Sequence, residues 1–581
     1  MTFMKFNKLF ILTSFVALVG CQKLIDLTPQ SNINSATYYS NVSEVNTALN
    51  GCYSGMVAPL NDEWTLSELR SDNSIQGIPA STSTPNRDLS DLDMFFPSVS
   101  HQGNYNFWLN SYYNIRNVNF VLNSLNVNYV PSSGTLNLDK AAIAVTENDV
   151  KKLSAEATFI RAYHYFNLVR LYGDVFLVHE PISPDVAKTI NRSATAEIYK
   201  LIIADLLNTI NNGTTAKFGA IPSAEIGRAN SWSAKALLAK VYLTLNRKSD
   251  AAALCQDIIS NSGYALQSSY SNIFSINNEM SSEILFAIRF KAGGIGLGNS
   301  FSNAFAPLNS GAAIIVGDGR GLNFPSQELY NSYSANAAVG NVRSGNTSVT
   351  LTAPNPAITV GMAVTGTQIA NGTTVAAING TALTLSQPAN ATLATAALLI
   401  GGDARRTVNI GIFTGARFFV QKYISNTTVA NDSENDWPVI RYADVLLMLA
   451  EAQGNSASSI ALINQIRARA GVPALVAASI STPAQFETAL ANERRWEFAF
   501  ENQRWYDLLR FNTTFTTIRS TQVMNNHFAV MYPVHYGLYP APRLTLLEMQ
   551  AFVTNDRMLL PIPQREIDNN TQIVIKQNPG Y

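Results

Sequence analysis

Apolar residues recur at helical spacing along most of this chain and at strand spacing in one stretch of it. Over 154–171, Ala155, Phe159, Ala162, Phe166 and Val169 step by four, three, four and three, which puts them on one helical face, and Gly173 follows as a stop signal. Over 231–245 the stripe widens to Ala234, Leu237, Leu238, Val241, Tyr242 and Leu245, with Ser231 placed to cap it. Further helices are expected over 38–56, 107–122, 194–210, 249–260, 442–453, 456–470 and 486–511. Successive amphipathic helices with short links predict stacked helical hairpins, a mainly α scaffold of the helical-repeat kind. A segment rich in Ser, Thr, Pro and Asn over 75–103 reads as loop.

Residues 344–402 break this pattern. No charged side chain occurs between Arg343 and Asp403, although 14% of the chain is charged, and twelve of these 59 residues are threonine. Ser348-Val349-Thr350-Leu351-Thr352 and Ala382-Leu383-Thr384-Leu385-Ser386 alternate with period two. Asn371-Gly372 and Asn379-Gly380 are hairpin turn signals. The β-branched content is too high for a low-complexity linker, so a small all-β module is expected here. The division expected is 1–20, 21–343, 344–402 and 403–581.

The first of these is an export signal. Lys5 and Lys8 precede the apolar stretch 9–19, and Leu18-Val19-Gly20-Cys21 ends it with a cysteine where a lipobox puts the residue to be acylated. The stretch is short of the about 20 apolar residues needed to span a bilayer. Cleavage before Cys21 leaves a chain tethered by lipid at its first residue. Only Cys52 and Cys255 then remain, which excludes a disulfide scaffold and suits two buried thiols.

Charge and motifs narrow the function by exclusion. Lys plus Arg equals Asp plus Glu at 40 each, so there is neither an electrostatic footprint for nucleic acid nor a polybasic membrane patch. The five histidines match no zinc spacing, and neither a G-x-S-x-G elbow nor a P-loop occurs. Gly293 to Gly298 has G-x-G-x-G spacing with no helix pattern after it, and reads as a flexible loop. No metal or cofactor is expected. The one dense charge cluster is Glu493, Arg494, Arg495, Glu497, Glu501, Arg504, Asp507 and Arg510. Glu493, Glu497 and Glu501 at i, i+4 spacing would allow a glycosidase carboxylate pair. The alternation of Arg and Glu with interleaved Trp496, Phe498, Phe500 and Trp505 suits instead an ion-pair network fixing one helix to its neighbours.

The motifs, in order, resemble a known family. They include Asp26-Leu27-Thr28-Pro29-Gln30, Ala48 to Tyr53, Glu68 to Asn73, Ala155 to Asp174, Gly227-Arg228-Ala229, Ile440 to Leu447, Ile463 to Arg467, Glu493 to Asp507, Leu560-Pro561-Ile562-Pro563 and Gln577 to Tyr581. This set resembles the SusD/RagB family of surface nutrient-binding lipoproteins, over nearly the whole mature chain except 344–402. The resemblance implies a tetratricopeptide-like scaffold with irregular loops on one face, sitting as a lid over a SusC-like TonB-dependent transporter of the outer membrane. It implies capture of an oligosaccharide, or in some members a peptide, without catalysis, at the cell exterior. The 344–402 unit departs from the family and loosely resembles repeats of phage-tail and adhesin-like β modules.

Sugar binding calls for flat apolar faces beside amide and guanidinium groups, and loops on a rigid scaffold carry such sites. The loop candidates are Phe95, Phe96, Tyr105 and Trp108 with Arg87, Asn86 and His101. Trp108 also falls where a helix opens. By resemblance, Asp72 and Asn73 precede the ligand-facing loop. A second candidate loop, 293–324, carries Phe301, Asn303, Phe305 and Asn323. The tryptophan-rich arc of starch-binding members has no counterpart here, so starch is not favoured over other glycans.

Overall fold

The computed structural model describes residues 39–77, 87–333, 335–355, 358, 360–362, 364–370, 373–414, 417–425, 427–570 and 572–581. The signal segment, Cys21, Asn86, the Arg87 side chain and the Asn371-Gly372 turn lie outside the described residues.

The expected helices form, and local chemistry sets their ends. The chain opens with α1 (Val42–Ser54) and α2 (Val57–Leu66), followed by α3 (Gln102–Ser124). The helix expected over 154–171 is α4 (Glu147–Tyr172). It starts two turns earlier because Thr146 and Asp149 form a capping box ahead of the apolar stripe. Gly173, at φ 72°, ends α4, and its N–H reaches Val169 O. Next come α5 (Thr195–Asn212), α6 (Ser231–Thr244) and α7 (Lys248–Asn261). Asn230, not Ser231, caps α6, in a reciprocal box with Ser233. Late in the chain are α8 (Tyr442–Gln453) and α9 (Ala457–Arg469), the latter capped by Ser456.

The continuous helix expected over 486–511 is instead two, α10 (Pro483–Glu497) and α11 (Arg504–Thr514). Phe500 and Asn502 between them adopt left-handed φ of 66° and 57°. The buried Glu68 carboxylate accepts the N–H groups of Phe500 (2.8 Å) and Asn502 (3.1 Å) and so holds the break open. Periodicity cannot see a partner more than 400 residues away.

α4 packs on α3 and α5, α6 on α5 and α7, and α7 on α8, so the first half joins the last third through one continuous core. Strand β1 (Ile284–Ile288) pairs along one edge with a late strand that leads into α8. Cys52 and Cys255 are buried free thiols within this core; burial pushes Cys52 up to about 12.

Residues 335–402 form a six-stranded antiparallel sheet: β2 (Ala335–Val342), β3 (Ser348–Leu351), β4 (Val364–Thr365), β5 (Val375–Asn379), β6 (Ala382–Leu385) and β7 (Leu393–Gly402), in the order β4-β7-β2-β3-β6-β5. Pairing begins at Ala335, nine residues before the charge-free stretch. β3 buries Val349 and Leu351 and exposes Ser348 and Thr350, as the period-two pattern requires. The β5–β6 hairpin turns at Gly380-Thr381, with Asn379 paired to Ala382. The sheet has a separate core of Val342, Val349, Leu383, Leu385, Leu398, Ile400 and their neighbours.

Candidate ligand-binding surface

Three strands complete the frame of the site: the hairpin β8 (Ile410–Phe413) with β9 (Arg417–Val420), and β10 (Trp437–Arg441), which pairs with β1. The charge cluster builds the interior beneath them. Arg441, 1% exposed, bridges Glu283 (2.7 Å), Glu497 (2.9 Å) and Glu501 (2.7 Å). Arg405 holds Asp403 and Glu493, each at 2.6 Å. Arg494 bridges Asp444 (2.9 Å) and Asp507 (2.8 Å), and Asp444 also takes Lys240 at 2.6 Å. Burial by itself would raise these carboxyls; the cations outweigh it and hold Glu497, Asp444 and Asp507 below their ordinary range. Glu493, Glu497 and Glu501 do not share one helical face, since Glu501 lies past the end of α10. Buried and saturated with cations, they form no accessible acid–nucleophile pair.

Most of the aromatic candidates are interior. Phe95 is fully buried at a left-handed φ of 66°, edge-on to Trp505 (5.5 Å) and Phe528 (5.9 Å). Trp108 is buried in α3, edge-on to Tyr172 at 4.8 Å. Phe301 and Phe305 stack at 5.7 Å and pack on Trp437 and Trp64. These four are core residues with no face open to a ligand, because their rings fill the space between helices. His101 caps α3 through Nδ1. Asn303 donates to Val316 O and Asp318 O, bracing its own loop, and Asn323 is buried with φ 56°. Phe96 and Tyr105 stay half-buried, on Phe552 (5.4 Å) and under Arg565 (4.6 Å), and no ring contact joins them.

Asp72 and Asn73 are buried as well, yet they position a surface. Arg504 grips Asp72 through two bonds of 2.7 and 2.9 Å, and Arg495 donates to Asn73 Oδ1 at 3.0 Å. Their main-chain carbonyls accept from Ser326, whose Oγ donates to Asp72 O (2.9 Å) and whose N–H donates to Asn73 O (2.8 Å). Ser326 caps the short helix Gln327–Ser332, which carries Tyr330. Tyr330 stacks on Phe418 of β9 with centroids 4.4 Å apart at 21°, and both residues are half-buried. The Arg406 guanidinium lies 5.3 Å from the Tyr330 ring, and Arg417 lies 5.0 Å from the half-buried Phe413. Exposed Ile412 completes the patch. Flat apolar faces beside guanidinium groups are what a pyranose ring with its hydroxyls requires.

Sequence reasoning missed this platform because residues 403–441 were assigned no element. The available signal was the apolar run Phe418-Phe419-Val420, of which Phe419 and Val420 are buried and Phe418 is half-buried.

The molecule is thus a helix-rich scaffold with small sheets, and it carries a stacked aromatic pair flanked by guanidinium groups. The SusD family model matches residues 282–581, and a second model, described as "Starch-binding associating with outer membrane", matches 23–243. The chain belongs to the SusD family. It is 25% identical to SusD-like protein P25 of Formosa agariphila over 87% of this chain and 89% of that one. It is also 25% identical to SusD-like protein P2 of the same organism over the whole of both. Its fold is shared with a laminarin binding SusD-like protein (TM-score 0.63, 22% identity, 94% of this chain and 100% of that chain). It is shared as well with surface glycan-binding protein A from Bacteroides thetaiotaomicron in complex with laminarihexaose (TM-score 0.63, 17% identity, 92% and 99%). No described helix is long and apolar enough to cross a membrane.

Proposed function

We propose that this chain is a non-catalytic, lipid-anchored capture protein for a neutral oligosaccharide, held at the outer membrane through Cys21, facing outward, and delivering its ligand to a SusC-like TonB-dependent transporter. Family membership supports the role, and the names of two fold neighbours associate the same architecture with laminarin and laminarihexaose. The observation that carries the reading in this chain is the Tyr330–Phe418 platform, an aromatic surface fixed from below by Asp72 and Asn73. In this reading 344–402 is an insertion in a tetratricopeptide-like body made of 21–343 and 403–581, and capture does not need it.

The test is calorimetric titration of the soluble chain from Lys23 onward with laminarihexaose and a panel of neutral glycans. Selective binding is expected, weakened about fivefold in Tyr330→Ala and in Phe418→Ala, the loss of one stacking face of about 1 kcal/mol. Unchanged binding in both variants would move the site off the platform. Silence across the panel, or turnover of a bound glycan, would overturn the capture reading.

A further inference from the structure

The six-residue helix that carries Tyr330 is too short to stand by itself, and one of its side chains ties it to a distant part of the chain. Glu328, half-buried, accepts from Arg495 Nη1 at 2.9 Å and faces Nδ1 of His527 at 2.8 Å. His527 is buried in the helix Ser520–Met531. Its other ring nitrogen, Nε2, stands 3.4 Å from the Tyr536 hydroxyl, which donates to Asp93 Oδ1 at 2.9 Å. The second oxygen of Asp93 accepts the N–H of Gln76 at 2.9 Å. A line of bonds thus runs from Gln76 and Asp93 through Tyr536 and His527 to the Tyr330 helix.

The Tyr536 proton goes to Asp93, so the Tyr536 oxygen is left to accept from Nε2, while Glu328 takes a proton from Nδ1. Only a doubly protonated imidazole makes both bonds; a neutral ring gives up one of them. The charges agree. Three carboxyls face His527: Glu328 on the Tyr330 helix, Asp72 in the segment after α2, and Asp93 at the end of the helix Arg87–Asp93. Two arginines face them, Arg495 of α10 and Arg504 of α11. His535, beyond the Ser520–Met531 helix, is neutral above acid pH because burial pushes it down to about 4. The cluster therefore balances when Asp93 and His527 hold one proton between them. Two protons leave an uncompensated cation and none leaves an uncompensated anion, and burial makes either unfavourable. Burial pushes Asp93 up to about 7, so its proton exchanges near neutral pH. Burial also raises Glu328, but the bond from His527 and the Arg495 charge outweigh it, so Glu328 stays an acceptor below its ordinary range.

We propose that Asp93 and His527 share one proton across Tyr536, and that this proton positions Glu328 and the Tyr330 helix for glycan capture. The regulation rests on the platform reading of the ligand site. Asp93 and His527 act through Glu328 and are positioning residues. Capture is tightest where the pair holds one proton and weakens as pH moves to either side.

The experiment titrates laminarihexaose into the chain from Lys23 onward at pH values from about 5 to about 9. The parent's affinity is expected to pass through a maximum and to fall about fivefold towards each end, the lower end of usual couplings between sites. His527→Gln leaves Asp93 alone, and its affinity should fall only as pH rises. Asp93→Asn leaves His527 alone, and its affinity should fall only as pH drops. The double variant is balanced at every pH and should be level. A merely structural role would lower affinity alike across the range. A level parent profile, or a double variant that keeps the maximum, would overturn the proposal, and the parent profile decides even where a variant fails to fold. Ring-nitrogen shifts of the ¹⁵N-histidine-labelled chain, read without glycan, separate the two readings. Shifts of His527 that change in Asp93→Asn beside a level affinity profile overturn the regulation alone. Shifts indifferent to Asp93→Asn overturn the shared proton. Absence of laminarihexaose binding at every pH overturns the platform reading and takes the regulation with it.

Discussion

The helical body and the 335–402 sheet solve one problem, holding a core together, with opposite chemistry. The body encloses a web of arginines and carboxylates in which Arg441 alone contacts three glutamates. The sheet encloses Val349, Leu398, Ile400 and their like, and over 344–402 it has no charged residue at all. Buried ion pairs are directional and mutually dependent: each charge tolerates burial only while its partners stay in place. Apolar burial is roughly proportional to area and indifferent to which neighbour provides it. The body is therefore specified by partners and the sheet by pattern.

Breaking a partner in the body should have the largest effect. Arg441→Leu takes one cation from each of Glu283, Glu497 and Glu501 and leaves their charge under-compensated in the interior, and a loss of about 4 kcal/mol is expected. Differential scanning calorimetry should show the body's transition fall while that of the sheet stays in place. In the sheet, Leu398→Ala removes a side chain that is 1% exposed and should cost about 3 kcal/mol, seen in the sheet's transition and not in the body's.

Acid and base sharpen the contrast. Burial raises Asp72, Asp444, Asp507 and Glu497, but facing cations outweigh it and hold all four below the ordinary carboxylate range. Their contribution to stability is full above the unfolded value near 4 and is lost as pH falls below it. Glu63, Glu68 and Asp93 go the other way, pushed by burial up to about 7. Their contribution is full below pH 4 and is lost as pH rises from there to about 7. Thermal unfolding across pH 3 to 9 should thus shift the body's midpoint at both ends and leave the sheet's midpoint level; a titrating sheet would refute the distinction. The smallest effect is expected at the β5–β6 turn, where Gly380 has φ 60° and its position for a Cβ is open. Gly380→Ala should cost about 1 kcal/mol, from backbone strain alone.

The same contrast explains what could be read in advance. The stripe from Ala155 to Val169 located α4, and the Ser348–Leu351 alternation located β3, because both periods are local properties of the chain. Helix ends were legible where a cap lay close by, as at Gly173 and Ser456. The break after Glu497 was not, since the group that enforces it, Glu68, comes from the other end of the sequence. Phe95, Trp108, Phe301 and Phe305 looked like loop aromatics, and tertiary packing took all four inside. Asp72 and Asn73 were picked as neighbours of a ligand-facing loop, and the structure buries them where they hold Ser326 at the start of the helix that carries Tyr330.

By itself, then, the sequence determined the helical character of the body, the β character of the charge-free stretch and the family, all of which rest on local periods and ordered motifs. Only the tertiary structure decided which arginine meets which carboxylate, where the long helix breaks and which aromatic rings reach the surface. Those outcomes depend on residues hundreds of positions apart competing for the same buried space.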